Sequence, residues 1–134
     1  MTTVIFACVH NAGRSQMAAA FFNALADPTK ARSLSAGTAP AAHVHAEVLA
    51  AMAEVGFDLR AATPRLLTAA MAAGAQLLVT MGCGENCPVV PGLRQQDWPL
   101  SDPHGQSAAV VRRIRDEVRA RVQELVVNHG WARS

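Results

Sequence analysis

A chain of 134 residues with a formal net charge of +2 and 51% apolar residues has the make-up of a single domain, 1–134, that can bury a core without disulfides or metal. The balance excludes a disordered or fibrous chain, and no polybasic tail points to nucleic acid or a membrane surface. No basic leader precedes Val4, and the longest apolar run, 69–84, holds Gln76 and three glycines, so a cytoplasmic protein with no membrane span is expected.

In chain order, Val4–Ala7 reads as a first strand and 14–25 as a helix. Arg32–Ala36 reads as a second strand, stopped by Gly37, and helices are expected at 43–55 and 65–73. Leu77–Met81 is a continuous apolar run, as in a strand buried on both faces, and 95–98 is a weaker strand candidate. The last helix is expected at 105–128. Its Val111, Ile114, Val118, Val122 and Leu125 recur at three- and four-residue spacing and share one face. The remaining faces carry Arg112, Arg113, Arg115, Asp116, Glu117, Arg119 and Arg121, and the acidic residues among them favour a solvated face with mixed ion pairs over a nucleic-acid grip. Alternation of strands and helices predicts an α/β fold with a mostly parallel sheet covered on both faces, whose ligands bind beyond the carboxyl ends of the strands.

Three segments that carry chemistry each follow a predicted strand. The first is Cys8-Val9-His10-Asn11-Ala12-Gly13-Arg14-Ser15, set between strand and helix. Such a loop aims backbone N–H groups and a helix N-terminus at an anion. A cysteine at its strand end meets positive potential that favours the thiolate, and an arginine at its far end offers a planar fork to two oxygens of a tetrahedral oxyanion. Gly13 gives the loop conformational freedom, and Asn11 tolerates positive φ better than most residues. Ser15 can donate a hydroxyl to the thiolate. His10 fits the rim of the site better than the role of base. The loop is not of the Walker type, because the Gly-Lys-Ser/Thr ending is absent.

The second segment, Met81-Gly82-Cys83-Gly84-Glu85-Asn86-Cys87-Pro88, places two thiols with three residues between them. Zinc would need two more suitably spaced ligands, so the open readings are two unrelated cysteines or a dithiol relay. The third is Trp98-Pro99-Leu100-Ser101-Asp102-Pro103-His104-Gly105, where Asp102 reads equally as a cap of the last helix or as a general acid. An acid role requires burial or a nearby anion to hold the proton, and Trp98 and Pro103 are candidates for the apolar wall.

These segments together resemble the low-molecular-weight tyrosine phosphatase superfamily, specifically its arsenate reductases. The resemblance runs essentially end to end. It rests on Cys8–Ser15 with Gln16-Met17-Ala18, on Ser35-Ala36-Gly37-Thr38, on Cys83/Cys87 with Pro88, on Asp97-Trp98, on Asp102-Pro103 and on the arginine-rich final helix. It implies a three-layer α/β/α fold with a four-stranded parallel sheet. It implies Cys8 as nucleophile, Arg14 as oxyanion clamp, Asp102 as general acid and residues 9–15 as the oxyanion cradle. Arsenate is the implied substrate, phosphate and sulfate the competing oxyanions, and Cys83 and Cys87 match the resolving cysteines of the thioredoxin-coupled branch. No bound cofactor is implied, and thioredoxin serves as reductant. Some members hold potassium beside the loop, where Asn11 and Ser35 fit but Ala19 and Arg65 replace acidic ligands, so no metal is expected. The resolving cysteines lie closer together than in the best-known members, which leaves open whether Cys83 or Cys87 attacks first. His104 follows Asp-Pro where phosphatases usually carry tyrosine, so hydrolysis of aryl phosphates by Cys8, Arg14 and Asp102 is the alternative activity, expected to be weak. A redox-responsive binding protein without turnover is a third reading.

Overall fold

The computed structural model describes residues 1–82 and 89–133. Its elements are β1 (Thr2–Cys8), α1 (Arg14–Leu25), β2 (Ala31–Gly37), α2 (Ala46–Ala53), α3 (Ala69–Ala73), β3 (Leu77–Thr80), β4 (Arg94–Asp97) and α4 (Ala108–Asn128). The strands form one four-stranded parallel sheet in the order β2-β1-β3-β4. The chain leaves β1 toward β2 on one side and later returns to β3 on the other, so the direction of winding reverses at β1. A crevice opens at such a reversal, beyond the carboxyl end of the strand. Cys8 is the last residue of β1.

Alternate residues of β1 face opposite layers. Val4 and Phe6 join the larger core with Met17, Phe21 and Phe22 of α1, Val48 and Met52 of α2, and Ile114, Val118, Val122 and Leu125 of α4. Phe6 meets Phe22 edge-on at 5.8 Å and Trp98 at 5.6 Å. Ile5 and Ala7 face a thinner layer with Ala36 and Leu78, covered by Leu67, Met71, Val90 and Leu93. The two-sided burial of β1 and β3 explains why both read as unbroken apolar runs. The edge strand β4, Arg-Gln-Gln-Asp, is mostly exposed, which is why its sequence signal is weak. Among the described residues no helix is long and apolar enough to cross a membrane.

Three helix starts differ from the sequence reading. α2 begins at Ala46, after His45. Residues 65–67 are extended, because Gly37 donates its N–H to the Arg65 carbonyl and Leu67 donates to the Gly37 carbonyl, both at 2.8 Å. Thr68 then caps α3 through its side chain, accepting from the Met71 N–H at 3.2 Å. α4 begins at Ala108 with Ser107 as its cap, so Asp102 is not the cap of that helix.

The expected face of α4 is buried as read, but Arg115 is not solvated. It is 8% exposed, donates to the Ala51 carbonyl at 2.9 Å and pairs with Glu54 of the segment after α2. Arg112 pairs with the same carboxylate at 2.7 Å.

Candidate active site

The Cys8–Ser15 loop is fixed from outside by its carbonyls. Thr38 donates to the Cys8 carbonyl at 3.3 Å, Ala39 to Val9 at 2.8 Å and Ala41 to His10 at 2.9 Å. The Gln16 side chain donates to the Asn11 carbonyl at 3.1 Å, His45 donates to Ala12 at 3.0 Å, and Met17 donates to Gly13 at 3.0 Å. Six consecutive carbonyls therefore point outward. In a trans peptide the C=O and the following N–H point in opposite directions, so the N–H groups of residues 9–14 turn inward. The Asn11 N–H meets the Cys8 Sγ at 3.2 Å, as that arrangement requires. The result is a concave set of donors, a geometry that favours an anion.

Asn11 holds this curvature. It alone among the described non-glycine residues has positive φ, at 50°. Its Oδ1 accepts from the Arg65 N–H at 2.9 Å and from Gln16 Nε2 at 3.2 Å, while its Nδ2 donates to Ser15 Oγ at 2.7 Å. Ser15 Oγ already accepts from Asn11, so its own hydrogen is free to donate to Cys8 Sγ, 2.9 Å away. Two donors thus converge on a sulfur that is 3% exposed. Both contacts fix the position of the sulfur at the floor of the loop.

Arg14 opens α1 and is 9% exposed, with Nη1 donating to the Leu100 carbonyl at 2.8 Å. That bond fixes the guanidinium plane and leaves its other N–H groups for an oxyanion. Gly82, at φ 72°, allows the approach, since a Cβ there would lie 2.6 Å from the Leu100 carbonyl and 3.0 Å from Arg14 Nη1. Asp97 ties β4 to the end of β3, accepting from Thr80 Oγ1 at 2.7 Å and from the Gly82 N–H at 3.3 Å.

Cys8, His10, Ala12, Gly13, Arg14, His45 and Asp102 line one small pocket of about 220 Å³, counting its open mouth. The other hollows described on the surface measure about 420–910 Å³. The largest, about 910 Å³, lies on the far side of α2 and away from the thiol. The small pocket is the one that holds the Cys8 thiol beside Arg14 and Asp102.

The structure brings Cys8, Arg14 and Asp102 together as the sequence reading anticipated, and places His10 at the rim, with Nδ1 bonded to the Ala39 carbonyl at 3.2 Å. Asp102 itself is exposed, although Pro103 and Trp98 are buried. Its Oδ1 accepts from the His104 N–H at 3.0 Å, closing a short turn. Cys83 and Cys87 lie outside the described residues. The bracing of the loop by residues 38–45, and the place of His45 in the pocket lining, were not anticipated from the sequence. Their contribution is made by backbone groups and by a histidine in an alanine-rich stretch, and neither gives a motif.

Burial lowers the pKa of His45, helped by the charge of His104 and opposed by Glu47 and Asp102. The ring is therefore biased toward its neutral form at the pocket wall.

Known proteins place this geometry in a family. The model of the low molecular weight phosphotyrosine protein phosphatase family matches residues 3–130. A protein of Halobacterium salinarum is 41% identical over 126 residues, covering 90% of this chain and 87% of its own. A Synechocystis protein named a glutaredoxin arsenate reductase is 35% identical over 129 residues, covering 94% of this chain and 97% of its own. The solved structure of a thioredoxin-dependent arsenate reductase from Corynebacterium glutamicum superposes with a TM-score of 0.79 at 36% identity. The match covers 96% of this chain and 61% of that longer one. The chain belongs to the low molecular weight phosphotyrosine protein phosphatase family.

Proposed function

We propose that this protein is an arsenate reductase in which Cys8 attacks arsenate held by the 9–15 loop and Arg14. The observation that carries the reading is the outward turn of six consecutive loop carbonyls around the Cys8 sulfur. It supplies inward N–H donors for the oxygens of a bound oxyanion while the thiol sits within reach of the central atom. Phosphate and sulfate fit the same cradle and compete.

In the proposed sequence the Cys8 thiolate bonds to arsenic, and one arsenate oxygen leaves as water with a proton from Asp102. Asp102 is exposed and stands in the pocket lining, where its carboxyl reaches the departing oxygen. A second thiol, Cys83, then attacks the Cys8 sulfur. The S–As bond breaks with its electron pair on arsenic, so As(V) becomes As(III), arsenite departs and a Cys8–Cys83 disulfide remains. Cys87 attacks Cys83 next, freeing Cys8 and forming a Cys83–Cys87 disulfide that thioredoxin reduces by exchange. Two electrons move from two thiols to one arsenic, and the atoms balance. No bound cofactor takes part. The two further thiols in a chain of three, and the thioredoxin-dependent arsenate reductase among the solved structures it resembles, support the relay.

The test is turnover with arsenate, thioredoxin, thioredoxin reductase and NADPH. Cys8→Ser, Cys83→Ser and Cys87→Ser should each abolish it, and full multiple turnover by Cys87→Ser would overturn the relay. Replacing thioredoxin by glutathione and glutaredoxin tests the rival reductant named for the Synechocystis relative. Aryl-phosphate hydrolysis, which needs only Cys8, Arg14 and Asp102, is the second reading, favoured by the presence of those three residues in one pocket. It predicts a rate indifferent to Cys83 and Cys87.

A further inference from the structure

Asp102 is exposed and sits on a loop outside the sheet, yet its carboxyl must stand at the pocket mouth in one orientation to deliver a proton. We propose that Glu47, in the first turn of α2, is a positioning residue that latches the Asp102 loop over the Cys8 pocket. The inference rests on Asp102 being the proton donor in the reading above. Glu47 Oε1 accepts from the Gly105 N–H at 3.3 Å and lies 3.1 Å from His104 Nδ1. One carboxylate oxygen therefore grips two consecutive residues of the loop. His104 in turn donates its backbone N–H to Asp102 Oδ1 at 3.0 Å, so the restraint reaches the carboxyl that matters.

Two packing contacts fix the same loop. The His104 ring stacks on His45, which lines the pocket, with centroids 3.9 Å apart and planes 23° from parallel. The Pro103 ring lies against Gly13 of the Cys8 loop, where a Cβ would come within 3.1 Å of its Cγ. Val48 Cγ2 closes on the same spot, 3.7 Å from that Cβ position. The Asp102 loop thus touches the pocket through apolar contact and is anchored to α2 by one acidic side chain.

Glu47 is suited to the task. Burial pushes its carboxyl up, but bonds from its own backbone N–H, His104 and Gly105 outweigh that and hold it below the ordinary carboxylate value. It also sits in the first turn of a helix, where the backbone dipole favours a negative charge. The donor atoms of His45, Glu47 and His104 lie within 4.8 Å of one another, as in a cation site. The two rings are stacked face to face, however, so their in-plane lone pairs lie in separate, nearly parallel planes. The cluster is built as a clasp.

The experiment compares Glu47→Ala, Asp102→Asn and the double variant in single-turnover arsenite release. Arsenate affinity is measured separately, through protection of Cys8 from iodoacetamide. A latch predicts that Glu47→Ala slows release by about ten- to a hundredfold, up to the lower end of the range of general-acid effects, while arsenate affinity stays within about twofold. The double variant should be no slower than Asp102→Asn alone, because both changes remove the same proton delivery. In a readout free of turnover, hydrogen exchange at the Gly105 amide should accelerate in Glu47→Ala. Losses that multiply in the double variant, an unimpaired Glu47→Ala beside an impaired Asp102→Asn, or unchanged exchange at Gly105 would each overturn the latch. An unimpaired Asp102→Asn would instead remove the acid assignment, and the latch with it.

Discussion

Two loops face each other across the pocket, and they are held by opposite means. Between Cys8 and Ser15 six of the eight residues are buried, and the loop's carbonyls, the Asn11 amide and the Ser15 hydroxyl are all engaged. Between Ser101 and Ser107 only Pro103 is buried, and the restraint comes from a surface carboxylate, a ring stack and one proline contact. A buried network whose carbonyls and side chains are paired stores its geometry in the fold, and losing a member leaves an unpaired group that costs the full desolvation penalty. An exposed latch contributes little to stability and can release. The division suits the chemistry proposed here. The oxyanion cradle must be preorganised, whereas the loop that delivers a proton must also let arsenite leave.

The largest effect on this contrast should come from the rigid side. Arg14→Lys keeps a positive charge but loses the planar fork held by the Leu100 carbonyl, and arsenate kcat/KM should fall about 10²- to 10³-fold with the melting temperature little changed. Steady-state kinetics and a thermal scan check both halves. A loss of less than threefold would mean that the fork is not part of the site.

Asn11→Ala should cost about 2–3 kcal/mol in urea unfolding, since it leaves the Arg65 N–H unpaired and puts alanine at φ 50°. Ser15→Ala removes one donor from the Cys8 sulfur, and alkylation of Cys8 by iodoacetamide at pH 7 should slow several-fold while the fold is kept. By contrast, alterations in the 101–107 loop should change rates and leave unfolding within about 0.5 kcal/mol.

The smallest effect lies away from both loops. A hydrogen bond from Arg112, opposed by burial and helped by charge and by Arg115, holds the Glu54 carboxyl at about 2, against an ordinary 4.5. A folded value below the unfolded one means that the stabilisation is full above pH 4.5 and is lost as pH falls toward 2. Glu54→Gln should therefore flatten the stability curve between about pH 5 and pH 2 and leave activity at neutral pH unaltered. An unchanged acid slope would contradict the pairing.

Sequence reading reached the sheet, the order of elements and the convergence of Cys8, Arg14 and Asp102 because each has a local signal. An apolar run marks a buried strand, three- and four-residue spacing marks α4, and the filling of the Cys8 loop marks an anion site. Other features are tertiary and leave no such trace. The 38–45 segment acts through backbone N–H groups that any residue but proline possesses. Arg115 looks like one more surface arginine until Glu54 and the Ala51 carbonyl arrive from the region of α2. Glu47 and His104 are 57 residues apart in the chain and meet only where α2 packs beside α4 and the loop that precedes it. The extended path of 65–67 was hidden for the same reason, since its bonds go to Gly37 and Asn11 rather than along a helix.

The most direct test of the central claim is a thiol count with mass mapping after one stoichiometric dose of arsenate to the reduced protein, with no reductant present. One arsenite should be released and two thiols lost per chain, mapped as a Cys83–Cys87 disulfide with Cys8 free. No thiol lost and no arsenite formed would contradict it and leave the Cys8 pocket as that of a phosphatase.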